Sequence, residues 1–190
     1  MKLIFATNNR NKVKEIKAAT GHRMDIVTLK EAGIEVDIPE PYETLRENAA
    51  TKAQTIFGMT HENCFSEDTG LEVDALDGAP GVHTARYAGE QKSNADNIAL
   101  LLQNLEGQPN RKARFRTVVY LIYEGRHHTF EGVCEGKIAE KASGADGFGY
   151  DPVFIPDGDT RRFAEMTMEE KAQYSHRKKA LEKLLAFLLQ

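Results

Sequence analysis

Short apolar segments with the length of β-strands alternate with amphipathic helical segments along the first half of the chain. Leu3–Thr7 and Asp25–Leu29 are strand candidates, and the helical repeat of apolar residues between them ends at Gly21. Two longer strand candidates, Ala113–Glu124 and Thr129–Ala139, flank a polar turn and predict a hairpin. This order of elements predicts an α/β fold with a mixed β-sheet and flanking helices.

Helix starts and a turn can also be placed from local patterns. Capping residues predict that helices begin after Thr44 and after Ser93. Cys64–Glu67 and Leu71–Leu76 are interpreted as strands on either side of a turn at Asp68-Thr69-Gly70. Hydroxyl, acidic and glycine residues in succession favour such a turn.

Composition excludes several classes of protein. The chain has 190 residues, and 25 lysines and arginines against 29 aspartates and glutamates give a net formal charge of −4. No basic block dominates, which argues against a general nucleic-acid binder. No apolar run approaches the eighteen or so residues that cross a bilayer, and the N-terminal run is too short for a signal peptide. We therefore expect a cytoplasmic protein without a membrane partner, and its two cysteines suit a reducing compartment.

Several nucleotide and hydrolase motifs do not occur in this sequence. There is no P-loop, no Gly-x-Gly-x-x-Gly after the first strand, no His-Glu-x-x-His and no Gly-x-Ser-x-Gly. Any phosphate chemistry must therefore use a different arrangement of side chains.

Two polar segments at strand ends carry groups suited to such chemistry. Thr7-Asn8-Asn9-Arg10-Asn11-Lys12 precedes a helix, where hydroxyl, amide and backbone N–H groups can bind phosphate; the alternative is a helix cap with a solvated basic turn. Asp68 could hold Mg²⁺ or accept a proton from water, or it could stabilise a local turn. Because adjacent strand residues point to opposite faces, only one of Glu67 and Asp68 is expected to enter a given site.

A glycine-rich segment with two aromatic residues is a further candidate. Gly144–Pro152 contains Phe148 and Tyr150, either of which could stack on a planar base, and Asp151, which could accept hydrogen bonds from a ring. Arg86 could face a phosphate, although a structural turn is the simpler interpretation of its loop. A basic stretch begins at Lys171 and continues with the residues Ser175, His176, Arg177, Lys178 and Lys179.

Taken in order, these segments resemble the inosine triphosphate pyrophosphatase family. No single segment is decisive, but five at compatible separations are specific. The resemblance rests on Thr7-x-Asn9-x-x-Lys12, on Glu67-Asp68-Thr69-Gly70 with Gly78-Ala79-Pro80-Gly81, on Ala85-Arg86-Tyr87, on Gly147-Phe148-Gly149-Tyr150-Asp151-Pro152, and on Lys171 with Ser175-His176-Arg177.

The resemblance implies one domain over residues 1–190, with an elongated mixed sheet and two lobes around a central substrate cleft. It also implies a homodimer, dependence on Mg²⁺, and hydrolysis of ITP, dITP and XTP to the monophosphate and pyrophosphate. Asp68 would be the catalytic acid and, with Glu40, a metal ligand. The implied substrate-binding residues are Thr7, Asn8, Asn9, Arg10, Asn11, Lys12, Lys52, Thr69, Arg86, Phe148, Gly149, Tyr150, Asp151, Lys171, His176 and Arg177.

Hydrogen-bond polarity suggests how the base would be selected. Hypoxanthine and xanthine carry an acceptor oxygen at C6, whereas adenine carries an amino donor, and Arg177 offers donors only. Three alternatives remain at this point: a pyrophosphatase for other modified nucleotides such as methylated pyrimidines, a nucleotide-binding module without catalysis, and a structural or interaction protein.

Overall fold

The strands and helices follow one another as an α/β chain. A computed structural model describes residues 2–190. The strands are β1 (Lys2–Phe5), β2 (Asp25–Thr28), β3 (Cys64–Val73), β4 (Pro80–Gly81), β5 (Lys112–Tyr123), β6 (Arg126–Ile138) and β7 (Phe154–Pro156). The α-helices are α1 (Arg10–Thr20), α2 (Leu45–Thr60), α3 (Asn94–Asn104), α4 (Met168–Ala172) and α5 (His176–Leu188).

One seven-stranded mixed sheet runs in the order β2-β1-β3-β5-β6-β7, with β4 paired to β3. β1 is parallel to both β2 and β3, whereas β3–β4 and β6–β7 are antiparallel. Two residues with positive φ, Glu124 and Gly125, join β5 to β6, as expected for a tight hairpin turn. The predicted mixed sheet and hairpin are confirmed.

The chain divides into two compact units. Unit 1 comprises the residues up to Asp68 together with Thr117–Gly132 and His176–Gln190, and unit 2 comprises Thr69–Arg116 and Val133–Ser175. β3, β5 and β6 therefore each contribute residues to both units.

Unit 1 has a core on each face of its part of the sheet, because successive strand residues point to opposite faces. Leu3 and Phe5 of β1 pack with Ile16 of α1 and the leucines of α5. Ile4, between them, packs with Ala53 and other small and aliphatic residues of α2. Helices therefore cover both faces, α1 and α5 on one and α2 on the other, which explains the near-continuous apolar character of β1.

Unit 2 is built around a single aromatic core. Phe115, Phe154 and Phe163 lie with ring centroids 4.6–6.1 Å apart, and Leu101 of α3 packs into the same cluster. Arg111 donates to the carbonyl oxygens of three residues at the edge of this unit, which anchors the start of β5.

The predicted helix starts are confirmed at the level of single hydrogen bonds. Thr44 Oγ1 accepts from the Glu47 N–H at 3.2 Å, and Ser93 Oγ accepts from the Asp96 N–H at 3.2 Å. α1 ends at Thr20, and the capping residue that follows, Gly21, has a φ of 55°, a value that favours glycine. Among residues 2–190, no helix has both the length and the apolar character needed to cross a membrane.

The predicted turn at Asp68-Thr69-Gly70 is wrong. β3 runs without interruption from Cys64 to Val73, so these three residues are extended. The Asp68 carboxylate lies near the side chain of Lys52 rather than closing a local turn, and strand pairing outweighs the turn preference of the three residue types.

Candidate active site

The segment after β1 forms a capped helix start. The Asn9 side chain accepts from the backbone N–H groups of Asn11 and Lys12, at 3.0 and 3.2 Å, and Thr7 Oγ1 accepts from the Asn9 N–H at 3.1 Å. Asn8 Nδ2 donates to the Val36 carbonyl oxygen at 2.8 Å. The helix cap considered at the sequence level is therefore present, and the start of α1 keeps the positive end of a helix dipole at this point.

Unit 1 brings four charged side chains into one chain of ion pairs. Lys12 Nζ lies 2.6 Å from Glu67 Oε1, and Arg177 Nε lies 3.5 Å from Glu67 Oε2. Arg177 also pairs closely with Glu15 of α1. Arg177 is 2% exposed and Glu67 is 1% exposed, so these charges are held away from water.

A second set of charges lies on the other face of β3. Lys52 of α2 contacts Glu40 Oε1 at 2.6 Å, the Glu67 carbonyl oxygen at 2.9 Å and Asp68 Oδ1 at 3.8 Å. Glu67 thus points toward α1 and α5 while Asp68 points toward α2. The prediction that these adjacent acids would face opposite ways is confirmed.

Burial changes the acidity of these groups. Burial raises the pKa of Asp68 to about 6, against the opposing effect of the Lys52 and Lys12 ammonium groups. For Lys52, burial favours the neutral form, but the carboxylates of Asp68 and Glu40 raise its pKa above the usual value. Burial likewise disfavours the charge on Arg177, but Glu67 and Glu15 raise the pKa of its guanidinium. The lysine and the arginine are therefore held as cations.

The donor atoms in unit 1 suit a hard divalent cation. Glu40 and Asp68 present carboxylate oxygens to the same ammonium group, and such oxygens are the ligands that Mg²⁺ prefers. Within residues 2–190, no group of three or more histidine, cysteine, aspartate or glutamate side chains is arranged as a metal site. Mg²⁺ in proteins often takes one or two carboxylates as ligands and completes its coordination with water and substrate phosphates.

Unit 2 holds the other predicted binding residues in a second cluster. Asp151 Oδ2 accepts from Lys171 Nζ at 2.8 Å and from the Phe148 N–H at 2.9 Å. The Lys171 ammonium also lies over the Phe148 ring, 5.1 Å from its centroid. Asp151 is 3% exposed and Lys171 is 7% exposed, so the structure places an aromatic face next to a buried ion pair.

Tyr150 differs from its sequence-based interpretation. Its side chain packs in the aromatic core of unit 2 at 3% exposure, and its hydroxyl donates to the Thr84 carbonyl oxygen at 2.7 Å. Burial raises its pKa above the usual value. Of the two aromatic residues considered for stacking, Phe148 is the half-buried one, and Gly149 beside it has a φ of 60° that favours glycine.

The remaining predicted site residues differ in their exposure to solvent. In unit 1, Arg10 and Asn11 are exposed in the first turn of α1, and His176 is buried at the start of α5. In unit 2, Thr69 is half-buried in β3 and Arg86 is half-buried in a 3₁₀ turn, Thr84–Arg86.

Sequence reasoning missed Glu15. It lies three residues after Lys12 on α1, a spacing that places two side chains on one helix face. That spacing was available in the sequence, but its partner Arg177 is 162 residues away and only the fold brings the two together.

A protein-family model and curated relatives match nearly the whole chain. The model of the Ham1 family matches residues 3–187. The dITP/XTP pyrophosphatase of Porphyromonas gingivalis is 52% identical over 189 residues, which cover 99% of this chain and 97% of that protein. The dITP/XTP pyrophosphatase of Caldanaerobacter subterraneus is 46% identical over 193 residues, covering 100% of this chain and 96% of that protein.

Solved structures agree over nearly the whole chain. The Ham1 protein of Staphylococcus aureus is 34% identical with a TM-score of 0.89, covering 99% of this chain and 98% of that one. A HAM1 protein from Coxiella burnetii is 33% identical with a TM-score of 0.90, covering 100% and 98%.

Proposed function

The chain belongs to the Ham1 family, and on that premise we propose that it hydrolyses ITP, dITP and XTP to the nucleoside monophosphate and pyrophosphate. It is a nucleoside triphosphate pyrophosphatase, a hydrolase of phosphoric anhydride bonds. Its role would be to remove non-standard purine nucleotides from the nucleotide pool.

One structural observation carries the proposal. Unit 1 buries Lys52, Asp68, Glu67 and Arg177 at 7% exposure or less around β3. Buried ion pairs contribute little net stability because desolvation opposes their attraction. A cluster of this kind, with one carboxylate pKa displaced by burial, is typical of a functional site.

We assign the binding of the substrate phosphates to cationic side chains and to the polar groups at the start of α1. A nucleoside triphosphate carries about four negative charges near neutral pH, and the protein is itself acidic. Residues 7–12 would bind phosphate oxygens, with Lys12, Lys52, Lys171 and Arg86 supplying positive charge. In the Lys12–Glu67 ion pair, a phosphate oxygen can replace the carboxylate as partner of the lysine.

Asp68 is the proposed catalytic residue. Its carboxylate would orient a water molecule and accept its proton as the water oxygen bonds to the α-phosphorus and the bond to pyrophosphate breaks. Lys52, beside Asp68, holds that carboxylate in place and balances its charge. With Glu40 and Asp68 as ligands, Mg²⁺ would supply further positive charge to the phosphate oxygens.

The base end is assigned to Phe148, Asp151, His176 and Arg177. The Phe148 ring would stack on the purine, and Asp151 would accept hydrogen bonds from ring N–H groups. A guanidinium donates only, so Arg177 would match the C6 oxygen of hypoxanthine or xanthine and leave the amine of adenine unmatched. Tyr150 would support this loop from the core, and Thr69 and Gly149 complete the proposed set.

Three further properties belong to the same proposal. The family resemblance supports a single functional domain over the whole chain, a homodimer and a cytoplasmic location. Two buried free cysteines are compatible with a reducing compartment.

The test is pyrophosphate release from a panel of triphosphates. ITP, dITP, XTP, dGTP, ATP and a methylated pyrimidine triphosphate are compared with Mg²⁺ and with a chelator. We expect Mg²⁺-dependent release from the first three, with ITP exceeding ATP by orders of magnitude in kcat/KM. A preference for methylated pyrimidines would favour a different pyrophosphatase, and binding of ITP without turnover would favour a binding module; either result would contradict the proposal.

A further inference from the structure

One buried amide side chain holds the segment that carries Arg86. Asn97 of α3 is 2% exposed. Its Nδ2 donates to the Ala85 carbonyl oxygen at 2.9 Å, and its Oδ1 accepts from the Ala88 N–H at 2.8 Å. The two hydrogen bonds thus bracket Arg86 along the chain, and both polar ends of the amide are satisfied.

Further hydrogen bonds hold the same segment at its two ends. The Thr84 carbonyl oxygen accepts from the Tyr150 hydroxyl at 2.7 Å, and Thr84 Oγ1 accepts from the Leu71 N–H at 2.9 Å. Asn104 Nδ2 donates to the Tyr87 hydroxyl at 2.7 Å. Each bond joins the segment to β3, α3 or the loop of Phe148, so the segment has defined partners on several sides.

Such anchoring matters most for a side chain that binds a ligand. A short 3₁₀ turn on the surface has little apolar burial to keep its shape, and a long arginine side chain is costly to order on binding. If the backbone of the turn is already ordered, the cost of ordering it on binding is removed, and the affinity for an anion rises. The buried amide is placed to do this, because it contacts the backbone on both sides of the arginine.

We propose that Asn97 is a positioning residue, which presents Arg86 to the phosphates of the substrate by fixing residues 85–88. This inference rests on the proposed function, in which Arg86 contacts those phosphates. Asn97 itself contacts backbone atoms of the segment and acts only through it.

The first experiment is a steady-state comparison of two variants with a matched control. Asn97→Asp keeps the acceptor for the Ala88 N–H but turns a carboxylate oxygen toward the Ala85 carbonyl oxygen, and Asn97→Ala removes both hydrogen bonds. Asn94→Ala changes an exposed asparagine on the same helix. We expect KM for ITP to rise about 10-fold in the Asn97 variants with kcat changed less than about 3-fold, because binding is lost equally in ground and transition states. The control should keep both constants.

A double-mutant cycle with Arg86→Ala separates positioning from general support of the fold. If Asn97 acts through Arg86, adding Asn97→Ala to Arg86→Ala should change kcat/KM by less than about 2-fold. Effects that multiply would overturn the inference, as would a folded Asn97→Asp protein with the KM of the parent.

A second measurement does not depend on turnover: calorimetry gives the affinity of each protein for inorganic triphosphate. Binding is compared in the parent, in the Asn97→Ala and Arg86→Ala variants and in the double variant. Each single variant should bind triphosphate more weakly than the parent, and the double variant should bind it no more weakly than Arg86→Ala alone. A parent protein that binds triphosphate in this pattern but releases no pyrophosphate from ITP would refute the proposed function and retain the inference. An Arg86→Ala protein with unchanged triphosphate affinity would overturn the inference, whatever the activity.

Discussion

At the scale of single residues, β3 separates two adjacent acids into different environments. Glu67 pairs with Lys12 and Arg177 on one face, and Asp68 lies near Lys52 on the other. The proposed role of Asp68 agrees with this separation, because Asp68 and the second proposed metal ligand, Glu40, contact the same ammonium group of Lys52.

The proposed role of Asp68 predicts a large loss of turnover on substitution. Asp68→Asn keeps the size of the side chain but cannot accept a proton, so kcat for ITP should fall by roughly 10²–10⁴-fold. Pyrophosphate release gives the rate, and circular dichroism shows whether the variant is folded. Near-normal turnover of a folded Asp68→Asn protein would remove Asp68 from the catalytic role.

Arg177 is predicted to affect both stability and base selection. Arg177→Ala would leave the buried carboxylate of Glu67 without this guanidinium, so the free energy of unfolding should fall by about 3–5 kcal/mol. Arg177→Lys keeps the charge without the planar fork, and it should lower the ITP-to-ATP ratio of kcat/KM by at least about 10-fold. Denaturant titration and the triphosphate panel measure the two effects. An Arg177→Lys enzyme with the parent ratio would show that another residue reads the C6 oxygen.

The thiol of Cys64 predicts a pH dependence of stability. Burial under α2 raises the pKa of this thiol from near 9 to about 12. Above pH 9 the unfolded chain therefore binds fewer protons than the native one, and the stabilisation present below pH 9 is lost as pH rises toward 12. Between pH 8 and 10.5 the protein should lose roughly 1–2 kcal/mol more unfolding free energy than a Cys64→Ala variant. Equal pH slopes in the two proteins would contradict this.

At the scale of elements, the close approach of β6 to α5 places the residues at the start of that helix. A Cβ atom on Gly132 would collide with the His176 carbonyl oxygen and would lie 2.6 Å from the Ala180 nitrogen. Only a residue without a side chain allows this contact. The position of Arg177 therefore depends on a glycine in β6.

Gly132→Ala is accordingly predicted to displace the start of α5. The unfolding free energy should fall by about 1–3 kcal/mol, and ITP hydrolysis should fall with it, because backbone atoms must move. Gly58→Ala is the matched control: its Cβ would meet nothing within 4 Å, and alanine favours a helix, so this variant should be as stable as the parent or more so. Unfolding midpoints and activity are measured for both. A Gly132→Ala protein with parental values would contradict the proposed packing constraint.

At the scale of the whole molecule, the positive charge that stabilises the fold differs from the positive charge that phosphate chemistry requires. The protein carries a net charge of −4, and Lys12, Lys52 and Arg177 form ion pairs with its internal carboxylates. We therefore expect the fold to persist without a divalent ion, whereas an acidic protein that binds a highly anionic substrate needs additional positive charge.

Chelation is predicted to abolish activity without lowering stability. With EDTA, ITP hydrolysis should fall by more than about 100-fold, and the Tm should stay within about 2 °C because the ion pairs of unit 1 persist. Activity should return when excess Mg²⁺ is added. A large drop in Tm on chelation would mean that a metal ion is part of the fold, contrary to this prediction.

Periodicity and capping chemistry alone were enough to predict most of the elements. The helix starts at Thr44 and Ser93 and the β5–β6 hairpin depend on residues close together in the chain, so their patterns can be seen in the sequence. The turn at residues 68–70 failed because its local preference was outweighed by strand pairing and by an ion pair with a distant helix.

The sequence by itself determined the α/β character of this protein, the order of its elements and the residues able to carry phosphate chemistry, since these are properties of residue type and spacing. Only the tertiary structure decided the partners: Glu15 with Arg177, Tyr150 with Thr84, and Asn97 with the segment around Arg86. Charge pairs and buried amides depend on atoms meeting within about 3 Å. Only the folded chain brings together residues that are far apart in sequence.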